Sequence, residues 1–130
     1  MKGRWDRLDR LANGEVAIVD YKTGNPKTQD DANDSLQLSI YALAARALGH
    51  TPSSLVFINL TNQTAIEARR SAEDLRAAEL KIAEIAAKIA AGEFEPNPGS
   101  RCFWCSYNSI CPTQEEPLPR PLAAQTVTVH

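Results

Sequence analysis

The sequence predicts one α/β domain in which a mixed central β-sheet is flanked by helices. Two stretches of alternating polarity flank a glycine turn, as in a strand hairpin. A continuous apolar run follows, and two stretches rich in alanine repeat apolar residues at helical spacing. We place this domain at residues 1–112 and a proline-rich flexible tail at 113–130. No run of about twenty apolar residues occurs, so we expect no membrane association and a cytoplasmic location.

The first element is the hairpin, whose register depends on the length of its turn at Ala12–Gly14. A two-residue loop would place Asp6 and Asp20 on opposite faces of the sheet. A three-residue loop, with its glycine in the left-handed conformation, instead sets Asp6 across from Asp20 and Leu8 across from Ile18. We adopt the three-residue loop as our prediction.

This register predicts a charged site, because Asp20 and Lys22 are two residues apart on one strand and therefore share a face. Two carboxylates and an ammonium group at one place suit a hard divalent ion, Mg²⁺ or Mn²⁺, better than zinc. Such an ion polarises phosphoryl oxygens, and the lysine can offset charge that develops on a phosphate. The alternative interpretation is an edge hairpin whose charged side chains are simply solvated.

The second element is a helix predicted from about Asp31 to Leu48, with Gly49 placed to end it. Gln37 and Tyr41 are four residues apart, so they project from one flank while the apolar stripe faces the sheet. From that flank an amide and a phenol could reach a phosphate or a DNA strand. Alternatively, Gln37 is merely exposed and Tyr41 is an ordinary half-buried ring.

The next elements are predicted to be scaffold. The apolar run Leu55–Leu60 is typical of a strand covered on both faces, and Ile66–Arg69 is predicted to pair beside it. A long helix follows from Ser71, where Ser71 and Asp74 form a cap pair, and it ends at Gly92.

A separate signature near the end is the cysteine series Cys102, Cys105 and Cys111, the last followed by Pro112. Their odd number and close spacing argue against a disulfide framework and favour metal binding in a reducing compartment. Thiolates are the usual ligands of iron–sulfur clusters, and a cysteine before proline is a recurrent closing ligand. His50 and His130 are weak candidates for a fourth ligand.

Three motifs in this order resemble the PD-(D/E)xK nucleases, in particular the branch of the RecB and AddB exonuclease domains and the CRISPR adaptation exonuclease. They are Gly3-x-x-Asp6, Asp20-Tyr21-Lys22-Thr23 and Gln37-x-x-x-Tyr41. The resemblance implies a restriction-endonuclease-like core and a metal-dependent DNA exonuclease of repair or recombination. It also implies Asp6, Asp20 and the carbonyl of Tyr21 as ligands of Mg²⁺ or Mn²⁺, with Lys22, Gln37 and Tyr41 as further catalytic residues.

The cysteine series resembles the C-terminal part of the 4Fe-4S staple in the same branch, where a fourth cysteine comes from far upstream. No cysteine precedes Cys102, and the N-terminal helical segment of the family is absent. We therefore expect this chain to be the C-terminal portion of a longer nuclease domain, with zinc or no metal as alternatives to the cluster. Apolar surface left uncovered by the missing segment would favour self-association.

The net charge of −2 argues against indiscriminate nucleic-acid binding over the whole surface. Basic residues nevertheless cluster around the hairpin, and we predict that Arg4, Arg7 and Lys27 bind DNA. The resemblance implies single-stranded or frayed ends as substrate and a helicase subunit or domain as partner. Two alternatives stay open: a DNA-binding or structural iron–sulfur module that keeps the fold without turnover, and a zinc-ribbon-like protein with an incidental acidic hairpin.

Overall fold

A computed structural model of the chain describes residues 2–113. Four strands are present, β1 (Arg7–Arg10), β2 (Val16–Lys22), β3 (Pro52–Asn59) and β4 (Thr64–Ala68), with helices α1 (Gln29–Asn33), α2 (Leu36–Ala47) and α3 (Ala72–Ala90). Two short 3₁₀ helices follow at Ser100–Trp104 and Asn108–Ile110. The chain forms two compact units, Met1–Ala86 and Ala87–His130. Except for Thr113, the predicted tail at 113–130 lies outside the described residues.

The four strands form one sheet in the order β1-β2-β3-β4. The outer pairs are antiparallel, and the central pair β2–β3 is parallel. A parallel pair needs a crossover, which α1 and α2 provide. The predicted mixed sheet flanked by helices is therefore confirmed.

The hairpin between β1 and β2 has the predicted three-residue loop. The N–H of Leu11 donates to the carbonyl of Glu15 at 2.8 Å and closes the loop. Gly14 has φ +84°, the left-handed conformation that glycine adopts without strain. Leu8 pairs with Ile18, as the register requires.

The core lies on the face of the sheet that carries Ile18, Leu55 and Phe57. Buried residues of all three helices, including Leu38 of α2 and Leu75 of α3, belong to the same cluster. Burial alternates along β3, from buried residues to half-buried ones. The predicted covering of both faces is thus only partial, because Val56 and Ile58, which face away from the core, are half-buried.

The helix predicted at 31–48 is two helices rather than one. The chain leaves helical geometry at Ser35, whose side chain accepts a hydrogen bond from the N–H of Leu38 and so caps α2. The Asn33-Asp34-Ser35 series carried this signal, because such residues favour caps over helix interiors. The end of α2 is as predicted, since Gly49 has φ +84°.

The remaining scaffold follows the sequence prediction. β4 pairs antiparallel with β3, and α3 opens with reciprocal hydrogen bonds between Ser71 and Asp74. Gly92, with φ +73°, follows the last turn of α3. Among residues 2–113, the helices lack the combination of length and apolar character that a bilayer span requires.

Candidate active site

Asp20 is the centre of a polar network at the carboxyl end of β2. Its carboxylate is only 4% exposed. Lys22 Nζ lies 2.7 Å from Asp20 Oδ2, and Gln37 Nε2 donates to Asp20 Oδ1 at 3.1 Å. The hydroxyl of Tyr41 lies 3.5 Å from the same Oδ1 atom, at the long limit of a hydrogen bond. The structure thus brings together four of the predicted residues, from two separate motifs.

Gln37 connects the members of this network. Its Oε1 atom accepts a hydrogen bond from Lys22 Nζ at 2.8 Å, and its Nε2 atom also donates to the Tyr41 hydroxyl at 2.9 Å. An ammonium group only donates and a carboxylate only accepts, so only one orientation of the amide satisfies both neighbours. Gln37 therefore fixes Lys22 and Asp20 relative to each other.

The local folds explain why these residues meet. Alternation along β2 puts Asp20 and Lys22 on the face covered by α2, in line with buried Ile18. The four-residue spacing of Gln37 and Tyr41 presents both from one flank of α2. Sequence analysis placed each pair on a common side, but it did not predict that the two pairs would hydrogen-bond to each other.

Asp6 lies at the open end of the hairpin, just before the first paired residue Arg7. Its Oδ2 atom accepts a hydrogen bond from the backbone N–H of Tyr21 at 2.9 Å. The carboxylate is thus attached to the main chain next to Asp20. The carbonyl of Lys22 bonds to Leu60 on the β3 side, so the preceding carbonyl, that of Tyr21, points toward β1 and Asp6.

The residues present fit a divalent cation at Asp20. Oδ2 of Asp20 is buried and lies 2.7 Å from the ammonium of Lys22, but among residues 2–113 no donor reaches it in hydrogen-bond geometry. A buried carboxylate oxygen without a donor is unusual, and a metal ion is one way to satisfy it. Within residues 2–113, however, no three His, Cys, Asp or Glu side chains cluster as a metal site. A cation here would need main-chain or water ligands beside the two aspartates.

The residues predicted to bind DNA fall in different places. Arg7 pairs with Val19 in the register and therefore lies on the opposite face from Asp20, where it bonds to Asp9 at 2.6 Å and to the Tyr21 hydroxyl at 2.9 Å. The structure thus does not bring Arg7 to the Asp20 network. Arg4 lines the groove described next, whose lining also includes Gln37 and Tyr41.

A groove of about 840 Å³ runs along α2 in the first unit. Its walls are mainly apolar side chains of α2, joined by the N-terminal segment and by Ile82 of α3. Gln37 and Tyr41 line it as well, so the groove is continuous with the Asp20 network. Trp5, another of its members, packs against the core and makes an edge contact with His50 at 6.5 Å between ring centroids.

Two residues that sequence analysis did not single out hold the surroundings of the site. Asn59 is 1% exposed, and its amide makes two hydrogen bonds with the backbone of Lys27, accepting from N–H at 2.8 Å and donating to C=O at 3.0 Å. Lys27 is therefore held by its main chain, with its side chain exposed. Arg70 bonds to the junction of α1 and α2. The sequence contained one signal for Asn59, because it is a polar residue in the otherwise apolar run Leu55–Leu60.

The cysteine series lies in the second unit, where the chain advances by three-residue hydrogen-bonded steps. The N–H of Cys105 donates to the carbonyl of Cys102 at 3.2 Å, and the same step recurs at Cys111. A hydrogen bond with the Thr113 hydroxyl lowers the pKa of the Cys111 thiol. The cysteines are free thiols, and in the described part of the chain they do not form a ready metal site.

Comparison with known proteins identifies the family. The model of the PD-(D/E)XK nuclease superfamily matches residues 1–112. The chain belongs to this superfamily. Its mixed four-stranded sheet flanked by helices agrees with the α/β restriction-endonuclease-like fold of PD-(D/E)XK proteins, as the sequence motifs predicted.

A curated relative supports the same assignment. The Gene 69 protein of Mycobacterium phage L5 is 34% identical over 112 residues. The match covers 78% of this chain and 36% of that protein, so the chain spans about a third of the relative's length. PD-(D/E)XK nucleases generally use divalent metals and act on DNA.

Proposed function

We propose that this PD-(D/E)XK domain is a divalent-metal-dependent deoxyribonuclease module that hydrolyses phosphodiester bonds in DNA. The observation that carries the proposal is the buried Asp20 carboxylate, whose Oδ2 lies 2.7 Å from the ammonium of Lys22 and has no donor in hydrogen-bond geometry among residues 2–113. Asp6, Asp20 and the Tyr21 carbonyl are the groups that would hold Mg²⁺ or Mn²⁺. Bound there, the ion supplies Lewis-acid polarisation of the scissile phosphate.

Lys22 is the residue proposed to stabilise charge on the reacting phosphate. An ammonium group has three donors, and one hydrogen bond goes to Gln37 while Asp20 provides an ion pair. The aromatic ring of Phe57 lies 4.8 Å from Nζ and makes a cation–π contact with it. A donor thus stays available for a water molecule or a phosphate oxygen.

Gln37 and Tyr41 are proposed to hold this arrangement together rather than to react. Both contact Asp20 Oδ1 from α2, while Asp6 bonds to the N–H of Tyr21, the residue after Asp20. A preformed arrangement costs little reorganisation when charge develops in the transition state.

The finer assignment follows the resemblance to the RecB and AddB branch. We assign the module to exonucleolytic digestion of single-stranded or frayed DNA ends in repair or recombination, with a helicase subunit or domain as partner. Arg4 supports a substrate path past Gln37 and Tyr41, since it lines the same groove. Lys27 would add a phosphate contact through its exposed side chain. Arg7 is a weaker candidate because Asp9 already neutralises it.

A cleavage assay on labelled DNA with and without Mg²⁺ tests the main proposal. We expect Asp20→Asn and Lys22→Met each to lower the Mg²⁺-dependent rate by more than about 100-fold, the scale of losing one preorganised electrostatic contact. Asp9→Asn and Lys81→Met are matched controls, since they remove similar charges from surface ion pairs. Equal rates in all variants would show that the activity belongs to a contaminant.

A second candidate is a DNA-binding or structural module of the same fold that lacks turnover. The observation that favours it is that, within residues 2–113, no three His, Cys, Asp or Glu side chains cluster as a metal site. This candidate predicts DNA binding that Asp20→Asn does not change and no cleavage with Mg²⁺ or Mn²⁺.

We also propose that the cysteine series holds a 4Fe-4S cluster, with a fourth ligand in addition to Cys102, Cys105 and Cys111. The lowered pKa of Cys111 supports a thiolate, which is the form that binds metal. In protein prepared without oxygen, we expect bound iron and visible absorbance that Cys105→Ser abolishes. A colourless preparation that contains zinc alone would contradict this assignment.

A further inference from the structure

Arg70 lies between β4 and α3, and its guanidinium group reaches back to the junction of α1 and α2. Nε donates to the Ser39 hydroxyl at 2.8 Å, and Nη2 donates to the carbonyls of Ala32 at 2.8 Å and Ser35 at 3.1 Å. Nη1 donates to the carbonyl of Arg69 at 3.0 Å. The guanidinium thus bonds to four acceptors, of which three belong to the α1–α2 junction.

These acceptors are the groups that define where α2 begins. Ala32 is at the end of α1, Ser35 is the N-cap of α2, and Ser39 is one turn further along. Ala32 is fully buried and Ser39 is 7% exposed, so water offers little replacement for the guanidinium. The carbonyl of Ala32 also accepts from the N–H of Ser35 at 3.4 Å, and that of Ser35 accepts from the N–H of Ser39 at 3.2 Å. Arg70 therefore adds a side-chain contact from the β4–α3 connection to backbone bonds that are already present. Loss of Arg70 would thus loosen the start of α2.

The first turn of α2 also carries Gln37, which lies between Ser35 and Ser39 in the chain. Gln37 bonds at once to Lys22 Nζ at 2.8 Å and to Asp20 Oδ1 at 3.1 Å, so a small shift of this turn lengthens one or both contacts. We propose that Arg70 is a positioning residue of the nuclease site, because it clamps the start of α2 and so holds Gln37 between Lys22 and Asp20. The inference rests on the proposed nuclease function for its effect on catalysis.

The chemistry of the clamp requires arginine. Its planar group presents donors in several fixed directions, whereas lysine offers one compact ammonium that cannot span the same acceptors. Arg70→Lys keeps the positive charge beside Ala32 and Ser35 but loses some of the hydrogen bonds that the guanidinium group donates. It should therefore retain the fold with a partial loss of positioning, and Arg70→Ala should lose more.

A double-mutant cycle on the whole chain tests the proposal. We expect Arg70→Ala to lower kcat about tenfold with little change in KM, the scale of a group that orients a catalytic residue. In a Gln37→Ala background, Arg70→Ala should have no further effect on kcat, since nothing is left to position. A loss of the same factor in both backgrounds, or no loss in either, would overturn the proposal. If Arg70→Ala does not fold, Arg70→Lys takes its place in the same cycle.

Two further measurements separate positioning from a general loss of stability and from failure of the nuclease assignment. Gly92→Ala strains the turn after α3 without a steric contact, so it lowers stability without altering α2 or the hairpin and should leave kcat unchanged. The side-chain amide resonances of Gln37, assigned by their loss in Gln37→Ala, should shift in Arg70→Ala and Arg70→Lys. Unchanged amide resonances would overturn the clamp even if the wild-type chain proves inactive, whereas an inactive wild type with shifted resonances would overturn only the nuclease proposal.

Discussion

At the scale of single residues, the chemistry of the site depends on which side-chain atoms already make hydrogen bonds or ion pairs within the protein. Asp20 uses Oδ1 for Gln37 and Tyr41, while Oδ2 forms an ion pair with the ammonium of Lys22 at 2.7 Å. Each side chain was predictable from its motif, because carboxylates and an ammonium group on one strand face point to phosphate chemistry. The contact between Lys22 and Gln37 was not predictable, since it depends on how α2 lies over β2.

Gln37 bonds to both Lys22 and Asp20, whereas Tyr41 makes only a long contact to Asp20 and accepts from Gln37, and this difference gives a first prediction. Gln37→Ala removes contacts to both Asp20 and Lys22, so we expect kcat to fall about 10- to 100-fold. Tyr41→Phe removes a long contact to Asp20 and an acceptor for Gln37, so the loss should stay below about tenfold. Steady-state rates on a labelled DNA strand check both values. A larger loss for Tyr41→Phe than for Gln37→Ala would contradict the assignment of Gln37 as the connecting residue.

At the scale of elements, local signals specified the ends of helices and strands well. The loop at Gly14, the stop at Gly49 and the cap pair of Ser71 and Asp74 all rest on contacts within a few residues, so the sequence alone contains them. The break before Ser35 was missed because the apolar spacing runs on across it. Long-range contacts of Arg70 stabilise that break, and they connect residues more than thirty positions apart.

The cap of α3 predicts a defined dependence of stability on pH. Hydrogen bonds from the N–H and hydroxyl of Ser71 hold the pKa of Asp74 below its ordinary value of 3.8. A depressed folded pKa adds stability above the unfolded pKa, and this stability is lost as pH falls through the folded pKa. We expect wild type to exceed Asp74→Asn in free energy of unfolding near neutral pH, and we expect the difference to shrink as pH falls below 3.8 toward the lowered pKa of Asp74. Urea titrations at several pH values measure it, and a constant difference would argue against the cap.

At the scale of the whole molecule, the sequence predicted the sheet, its mixed order and the family, because these follow from the pattern of elements and from three motifs in order. It overestimated the covering of β3, since an apolar run does not reveal whether one or both faces meet other elements. Likewise, spacing alone indicated that Cys102, Cys105 and Cys111 bind metal together, but spacing does not specify where their thiols point.

The apolar groove along α2 bears on the predicted self-association. We expect light scattering to give a molecular mass higher than that of a monomer, and this mass should increase with protein concentration. The reason is that apolar patches of this kind favour contact between copies of the chain. Leu48 is 68% exposed in the groove wall, so Leu48→Lys should return the chain to monomer. Leu80→Lys alters a similarly exposed leucine outside the groove lining and is the matched control. A monomer at every concentration would reject self-association.

The two hydrogen bonds between the amide of Asn59 and the backbone of Lys27 separate anchoring of the chain from the charge of the side chain at position 27. Because the amide of Asn59 bonds to the peptide groups of Lys27, position 27 is anchored whatever side chain it bears. Selection is therefore free to alter the charge at this position, and with it the salt sensitivity of any nucleic-acid contact, without loosening the segment that follows Lys22. Among homologues, Asn59 should therefore vary less than Lys27, to whose backbone it bonds.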